Sequence, residues 1–205
     1  MAVVTLTGPT CAGKSALEAE LQRIPGVGRA ISHTTRLPRA GEVDGVNYFF
    51  ITDDKYIRMK WDDHFVETID FGSASYALSA KSLNDAAAEN THVVIVVEPN
   101  GAQQVHDFCA SHNIKSFAVW VDCTLREQSR RWVSRLTGDM LIGKEVVAAY
   151  SQRLELMMGE ECVWRVSAFA NAALSGRQMS KKYDLLLNST DKRPDVLAME
   201  VMSIL

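Results

Sequence analysis

Val3-Val4-Thr5-Leu6-Thr7-Gly8-Pro9-Thr10-Cys11-Ala12-Gly13-Lys14-Ser15, followed by Ala16-Leu17, contains the pattern G-x-x-x-x-G-K-S. This is the phosphate-loop (P-loop) pattern, and its meaning depends on its setting. A short β-branched run, Val3 to Thr7, precedes it and reads as a buried strand. Leu17, Leu21 and Ile24 follow at i, i+4 and i+7, a helical stripe that stops at Pro25-Gly26. Strand, glycine loop, helix is the setting the motif requires. Gly8 and Gly13 permit backbone angles other residues avoid. The amides of Gly8, Pro9, Thr10, Cys11, Ala12, Gly13, Lys14 and Ser15 mark the stretch expected to cradle the phosphates of ATP. Pro9 contributes no N–H. Lys14 is placed to reach the β- and γ-phosphates, and the Ser15 hydroxyl to ligate Mg²⁺.

Bulk properties restrict the rest. The chain has 205 residues, 47% hydrophobic and 23% charged, as in a water-soluble globular protein with one sizeable core. Its net charge of −3 gives no general attraction to nucleic acid or anionic membrane, so any anion site is built locally. No apolar run approaches the roughly 18 residues of a membrane span. The chain opens directly on a strand rather than on a signal peptide, and a cytoplasmic location is expected. Cys11, Cys109, Cys123 and Cys162 show neither C-x-x-C nor zinc spacing and read as reduced thiols.

Further along, strands and helices alternate. Ala30-Ile31-Ser32 reads as a second short strand, and the polar stretch 32–50 as loop and short strand. Thr52-Asp53-Asp54 reads as a helix start, with Ile57 and Trp61 on one face. Phe65-Val66-Glu67-Thr68-Ile69 reads as a strand, Gly72-Ser73-Ala74-Ser75-Tyr76 as a turn, and Ser79 as a helix cap. His92-Val93-Val94-Ile95-Val96-Val97 is nearly all apolar, as in a parallel strand buried on both faces. Phe117 to Val121 and Tyr183 to Asn188 are further strands. Ala102, Val105, Phe108 and Cys109 mark a helix; so do Leu125, Trp132, Val133 and Leu136, and Leu197, Val201 and Ile204. Helical patches are expected at 146–158 and 164–174. The fold class is α/β with a parallel sheet. Residues 33–90 interrupt the alternation and read as an inserted unit.

These residues resemble the guanylate kinases, nucleoside monophosphate kinases of the P-loop class. The anchors are the loop 8–15 and Ser32-His33-Thr34-Thr35-Arg36-x-Pro38-Arg39-x-Gly41-Glu42-x-x-Gly45-x-x-Tyr48-x-Phe50. Phe65-Val66-Glu67, Gly101-Ala102-Gln103-Gln104 and Tyr183-Asp184-x-x-x-Asn188 follow in the family's order. The resemblance implies a three-layer P-loop core (1–32, 91–130 and 183–205), a GMP-binding subdomain (33–90) and a lid with its extension (131–182). It implies transfer of the ATP γ-phosphoryl group to GMP or dGMP with Mg²⁺. The partners are these small nucleotides rather than nucleic acid or membrane, bound by a monomer or homodimer.

Residue by residue, the resemblance assigns Arg36, Arg39, Tyr48 and Tyr76 to the acceptor phosphate. Arginine forks bind phosphate oxygens two at a time. Glu67 aligns with the guanine-reading glutamate: a carboxylate accepts from guanine N1–H and the exocyclic amine together, whereas adenine presents a lone pair at N1. Ser32 is placed to donate to guanine O6 and Glu98 to take the amine's other hydrogen. Arg131 and Arg135 match the lid-base pair R-x-x-x-R beside Lys14. The third lid arginine falls by spacing near Tyr150, so Arg153, one turn on, is its candidate replacement.

Two departures bear on the base. The family's Tyr-Gly-Thr or Tyr-Gly-Ser is Tyr76-Ala77-Leu78 here, which removes a hydroxyl unless Ser79 or Ser75 replaces it. The family's Asp-x-Asp is Val96-Val97-Glu98, one carboxylate fewer. Alternative acceptors therefore stay open, among them a modified purine or pyrimidine deoxynucleotide and a ribose phosphate. A non-catalytic binding module of the same fold stays open too.

Overall fold

The run before the glycine loop forms strand β1 (Ala2–Thr7), all six residues of it buried. In the computed structural model, which describes residues 1–39, 41–71, 74–124, 126–128, 130–131 and 183–205, this strand is the centre of a five-stranded sheet. The other strands are β2 (Val27–Arg29), β7 (His92–Val96), β8 (Lys115–Asp122) and β9 (Leu185–Asn188). Their order is β2-β7-β1-β8-β9, and every pairing is parallel.

Side-chain alternation along β1 divides two cores. Val4 and Leu6 face Leu17 and Leu21 of helix α1 (Lys14–Leu21) and Leu197 and Val201 of the last helix, α5 (Pro194–Met202). Val3 faces the other way, with Val93 and Ile95. There it meets Leu83 of α3 (Ala80–Glu89) and Val105 and Cys109 of α4 (Pro99–Ser111). Helices on both faces of a parallel sheet complete the three-layer α/β core expected from the sequence.

A second sheet holds β4 (Phe49–Phe50), β3 (His33–Thr34), β6 (Ala74–Ser79) and β5 (Phe65–Phe71), in that order. The β3–β6 and β5–β6 pairs are antiparallel. Helix α2 (Asp53–Trp61) begins at Thr52, whose hydroxyl accepts from Lys55 N at 3.3 Å. Ser79 caps α3 in the same way, accepting from Ser82 N at 3.1 Å. Both caps were legible in sequence.

Some local expectations need correction, and the last strand starts at Leu185 rather than Tyr183. Ala30-Ile31-Ser32 is not a strand. The strand pairing is made earlier, Val27 to Arg29 against His92 to Val94, and Ala30 to Ser32 carry the chain from one sheet to the other. Of the turn read at 72–76, Ala74, Ser75 and Tyr76 are instead strand residues paired with Phe71, Asp70 and Ile69, and residues 72–73 lie outside the described residues. On α2 the buried residue is Tyr56, stacked on Phe65, while Ile57 and Trp61 face outward, Trp61 at 84% exposure. Ile57 and Trp61 thus share one face as their spacing implies, but it is the outer one, because the small sheet packs on the Tyr56 side. Arg135, Arg153, Cys162 and Trp132, and the helical patches at 146–158 and 164–174, lie outside the described residues.

Candidate active site

The glycine loop takes its shape from backbone that only glycine adopts easily. Gly8 has φ +138° and a Cβ there would run into the Val121 carbonyl of β8. Gly13, at φ +99°, is the residue before α1. Cys11 is left-handed as well, at φ 62°. A loop that turns its amides inward must turn carbonyls outward, and each of those needs a partner. Three consecutive carbonyls have one. Gln128 Nε2 donates to Thr10 O at 2.9 Å, Arg131 Nη1 to Cys11 O at 3.3 Å, and Ser189 Oγ to Ala12 O at 2.5 Å. Arg131 also donates to Ser189 Oγ at 3.0 Å and O at 2.6 Å, and to Glu127 Oε1 at 2.8 Å. The wall behind the loop thus comes from the helical residues after β8 and from the residue after β9. Lys14 Nζ donates to Pro9 O at 3.1 Å and to Gly8 O.

Across a cleft of about 850 Å³ stands the second sheet with its loop. Arg36 holds Glu42 through a two-bond fork, both bonds 2.9 Å. Its guanidinium lies 5.5 Å from the Tyr48 ring centre, and Tyr48 meets Tyr76 edge-on at 6.0 Å. Burial works against the Arg36 charge, but Glu42 and the Tyr76 hydroxyl outweigh it and hold the pKa up. Glu42 also accepts from Arg39 N at 2.7 Å, so one carboxylate ties the Arg36 guanidinium to the Arg39 backbone. Burial raises Tyr48 as well, with Tyr76 adding to it. A cation held by a fork beside two phenols suits a dianionic phosphate.

Glu67 is only 4% exposed. The β5–β6 register slips between Phe65 and Glu67, so Val66 is an extra residue and Glu67 is re-aimed toward the cleft. Burial pushes its carboxyl up to about 7; the Leu78 backbone N–H works against this, and the Glu98 charge adds to it. The bare Cα of Gly101 makes room, since a Cβ there would stand 2.5 Å from Glu67 Oε1. Leu78 is fully buried in the cluster with Val3, Val93 and Ile95. Ser79 is spent on its helix cap and Ser75 on Asp70 at 2.7 Å, and neither lines the cleft. Neither of these two serines replaces the missing hydroxyl.

The cleft brings together Pro9 to Ser15, Ser32, Arg36, Arg39, Tyr48, Glu67, Tyr76, Glu98 and Arg131, residues spread over some 120 positions of sequence. Gly8 shapes the loop from beneath. The sequence reading did not single out Glu18, Arg29, Glu42 or Ser189. Arg29 reaches across from the end of β2, donating from Nη2 to Asn47 O at 2.8 Å, with Glu18 of α1 at 3.8 Å. Its Nε is buried and has no partner among the described residues. Burial raises the Glu18 pKa and Arg29 opposes that. No spacing rule links these positions. Glu42 was legible only as part of the motif block, and Ser189 only as the neighbour of Asn188.

A divalent cation carried by nucleotide phosphates needs one or two protein oxygens and keeps its remaining ligands as phosphate and water. Ser15, in the cleft next to Lys14, offers one such oxygen. Among the described residues there is no cluster of three His, Cys, Asp or Glu that would build an all-protein cage. The donor set therefore fits a cation that arrives with its nucleotide. No helix among the described residues is long and apolar enough to cross a membrane.

Comparison with known proteins gives a consistent result. The guanylate kinase family matches residues 1–155. A guanylate kinase of Bifidobacterium longum is 33% identical over 156 residues, 75% of this chain and 76% of that one. Those of Methylobacillus flagellatus and Schizosaccharomyces pombe are 35% identical over 106 and 104 residues, covering 51% and 50% of this chain and 52% of each of theirs. The crystal structure of guanylate kinase from Anaplasma phagocytophilum has the same fold. Its TM-score is 0.62 at 17% identity, covering 99% of this chain and 83% of that chain.

Proposed function

Because the chain belongs to the guanylate kinase family, an ATP-dependent group of nucleoside monophosphate kinases that transfer phosphate from ATP to GMP, we propose that it phosphorylates GMP or dGMP at this cleft. The observation that carries the reading is the joint presence, in one cleft, of a complete glycine loop with Lys14 and a buried Glu67. The first binds a nucleoside triphosphate; the second reads a base with adjacent N–H donors.

In the proposed reaction an oxygen of the acceptor phosphate attacks the γ-phosphorus of ATP. The bond from that phosphorus to the β–γ bridging oxygen breaks, and ADP leaves. The acceptor phosphate has a second pKa of about 6 and is mostly dianionic at neutral pH, so no strong general base is needed. Alignment and charge neutralisation carry the catalysis. Arg36, Arg39, Tyr48 and Tyr76 hold the acceptor phosphate. Lys14 and the amides of the loop hold the donor phosphates, and Arg131 is anchored beside them through Glu127 and Ser189. Mg²⁺, held by Ser15 and the phosphates, would offset the charge on the β- and γ-oxygens. Arg135 and Arg153 are proposed to add lid charges, in a proposed division into core (1–32, 91–130, 183–205), acceptor subdomain (33–90) and lid (131–182). Lid closure would keep water from accepting the phosphoryl group.

Guanine recognition is proposed for Glu67 with Ser32 and Glu98. Reading N1–H and the amine requires an ionised carboxylate at 67, and the two guanine donors favour that form. The test is ADP formation from Mg-ATP with GMP, dGMP, AMP, dTMP, UMP and a ribose phosphate, beside Glu67→Gln. Turnover with GMP or dGMP that the substitution weakens supports the reading. Turnover only with another acceptor keeps the phosphoryl transfer and discards the base assignment.

A further inference from the structure

We infer that Gln104 is a positioning residue for base selection, its side-chain amide fixing the strand that carries Glu67 and so setting where the base-reading carboxylate stands. The inference rests on the reading above, in which Glu67 accepts from the guanine edge.

Strand β5 lies at the outside of the second sheet, and among the described residues no strand pairs with its outer edge. At Thr68 the Gln104 amide supplies what a neighbouring strand would. Thr68 N donates to Gln104 Oε1 at 3.1 Å, and Gln104 Nε2 donates to Thr68 O at 3.2 Å. One side chain thus satisfies both main-chain groups of one strand residue, as a residue of a paired strand does.

The position of the clamp matters. Thr68 immediately follows Glu67. On the other side of Glu67 the register slips, and Val66 there packs against the core cluster of Val93, Ile95 and Val105. Glu67 is therefore held between an anchored bulge and an anchored backbone amide. Gln104 and Gly101 sit one helical turn apart on α4, and so on the same side. Gly101 yields the space that the Glu67 carboxylate fills. Helix α4 is itself fixed in the core by Ala102, Val105 and Cys109. One face of a rigid helix thus both makes room for the carboxylate and locks the strand beneath it. Functional groups need to be held to within about 0.5 Å of their working geometry. Here the core adds a second hold to the one that pairing with β6 gives.

Guanine and hypoxanthine differ at the 2-amino group, so the ratio of kcat/KM for GMP to that for IMP reads the second hydrogen bond to the carboxylate. Gln104→Met keeps the length and packing of the side chain and removes both hydrogen bonds to Thr68, together with the long one to Asn100 O at 3.5 Å. The expected result is a fall of about tenfold in the GMP/IMP ratio, carried by KM for GMP, with KM for ATP within about twofold of wild type. Hydrogen exchange at the Thr68 amide is expected to speed up in the same variant.

A folded Gln104→Met protein with an unchanged GMP/IMP ratio overturns the inference. So does a lowered ratio with unchanged exchange at Thr68, because the residue would then act by another route. Wild-type protein without GMP turnover overturns the proposed function, and the role of Gln104 falls with it.

Discussion

Replacing Glu67 by glutamine is expected to stabilise the protein at pH 8 while weakening its use of GMP. The carboxyl is 4% exposed, and burial, with the nearby Glu98 charge, raises it from an ordinary 4.5 to about 7. Between these two values the unfolded chain has released the proton and the folded protein still holds it. Stability therefore falls as pH rises through this window, and the loss is complete above pH 7. At about 1.36 kcal/mol per pH unit, the ionised carboxylate costs the ligand-free fold up to about 3 kcal/mol. For a chain of this size that is about 6–12 °C in Tm at the upper limit. Glutamine has nearly the same shape and no charge to desolvate. Thermal unfolding of the two proteins at pH 5 and pH 8 checks this. Their Tm values should be close at pH 5, and the variant should melt several degrees higher at pH 8. Equal shifts at both pH values, or a variant less stable at pH 8, would refute the reasoning. In wild type the same proton must leave before GMP binds, so KM for GMP should rise by up to about tenfold per unit as pH falls below 7.

Glu42→Gln weakens the fork that orients Arg36 and the bond to Arg39 N. KM for GMP is expected to rise about tenfold with KM for ATP unchanged, since charged hydrogen bonds of this kind contribute about 1.5–3 kcal/mol; initial rates with each substrate varied in turn decide it, and an unchanged GMP KM would count against the fork. Ser189→Ala leaves Ala12 O without its donor and Arg131 Nη1 without one acceptor behind the glycine loop. Here kcat/KM for ATP should drop about tenfold with KM for GMP preserved, and Ser189→Thr should restore most of it; an alanine variant with wild-type ATP kinetics would show that the loop holds its shape alone.

The parallel α/β core was legible because its signals are local. Val3 to Thr7, then Gly8 and Gly13, then Leu17 and Leu21 state strand, turn and helix in adjacent residues, and the structure forms those elements. Thr52 and Ser79 were readable as caps for the same reason: a side-chain oxygen and the amide it accepts from lie three residues apart. Arg36, Arg39, Tyr48, Glu67 and Tyr76 were chosen through motif blocks, and they line one cleft.

What the chain alone could not state depends on which surfaces meet. Helical spacing placed Ile57 and Trp61 on one side of α2, but only the packing of Phe65 against Tyr56 decides that the other side is inside. The raised carboxyl of Glu67 needs the bulge at Val66, the missing side chain at Gly101 and the Glu98 charge together. The loop carbonyls of Thr10, Cys11 and Ala12 find partners more than 110 residues away. Sequence by itself determined the elements and the chemical types in the site, because backbone preference and short motifs act over a few residues. Tertiary structure alone decided burial, charge state and the bracing of each group, because those depend on atoms that folding brings together from distant parts of the chain.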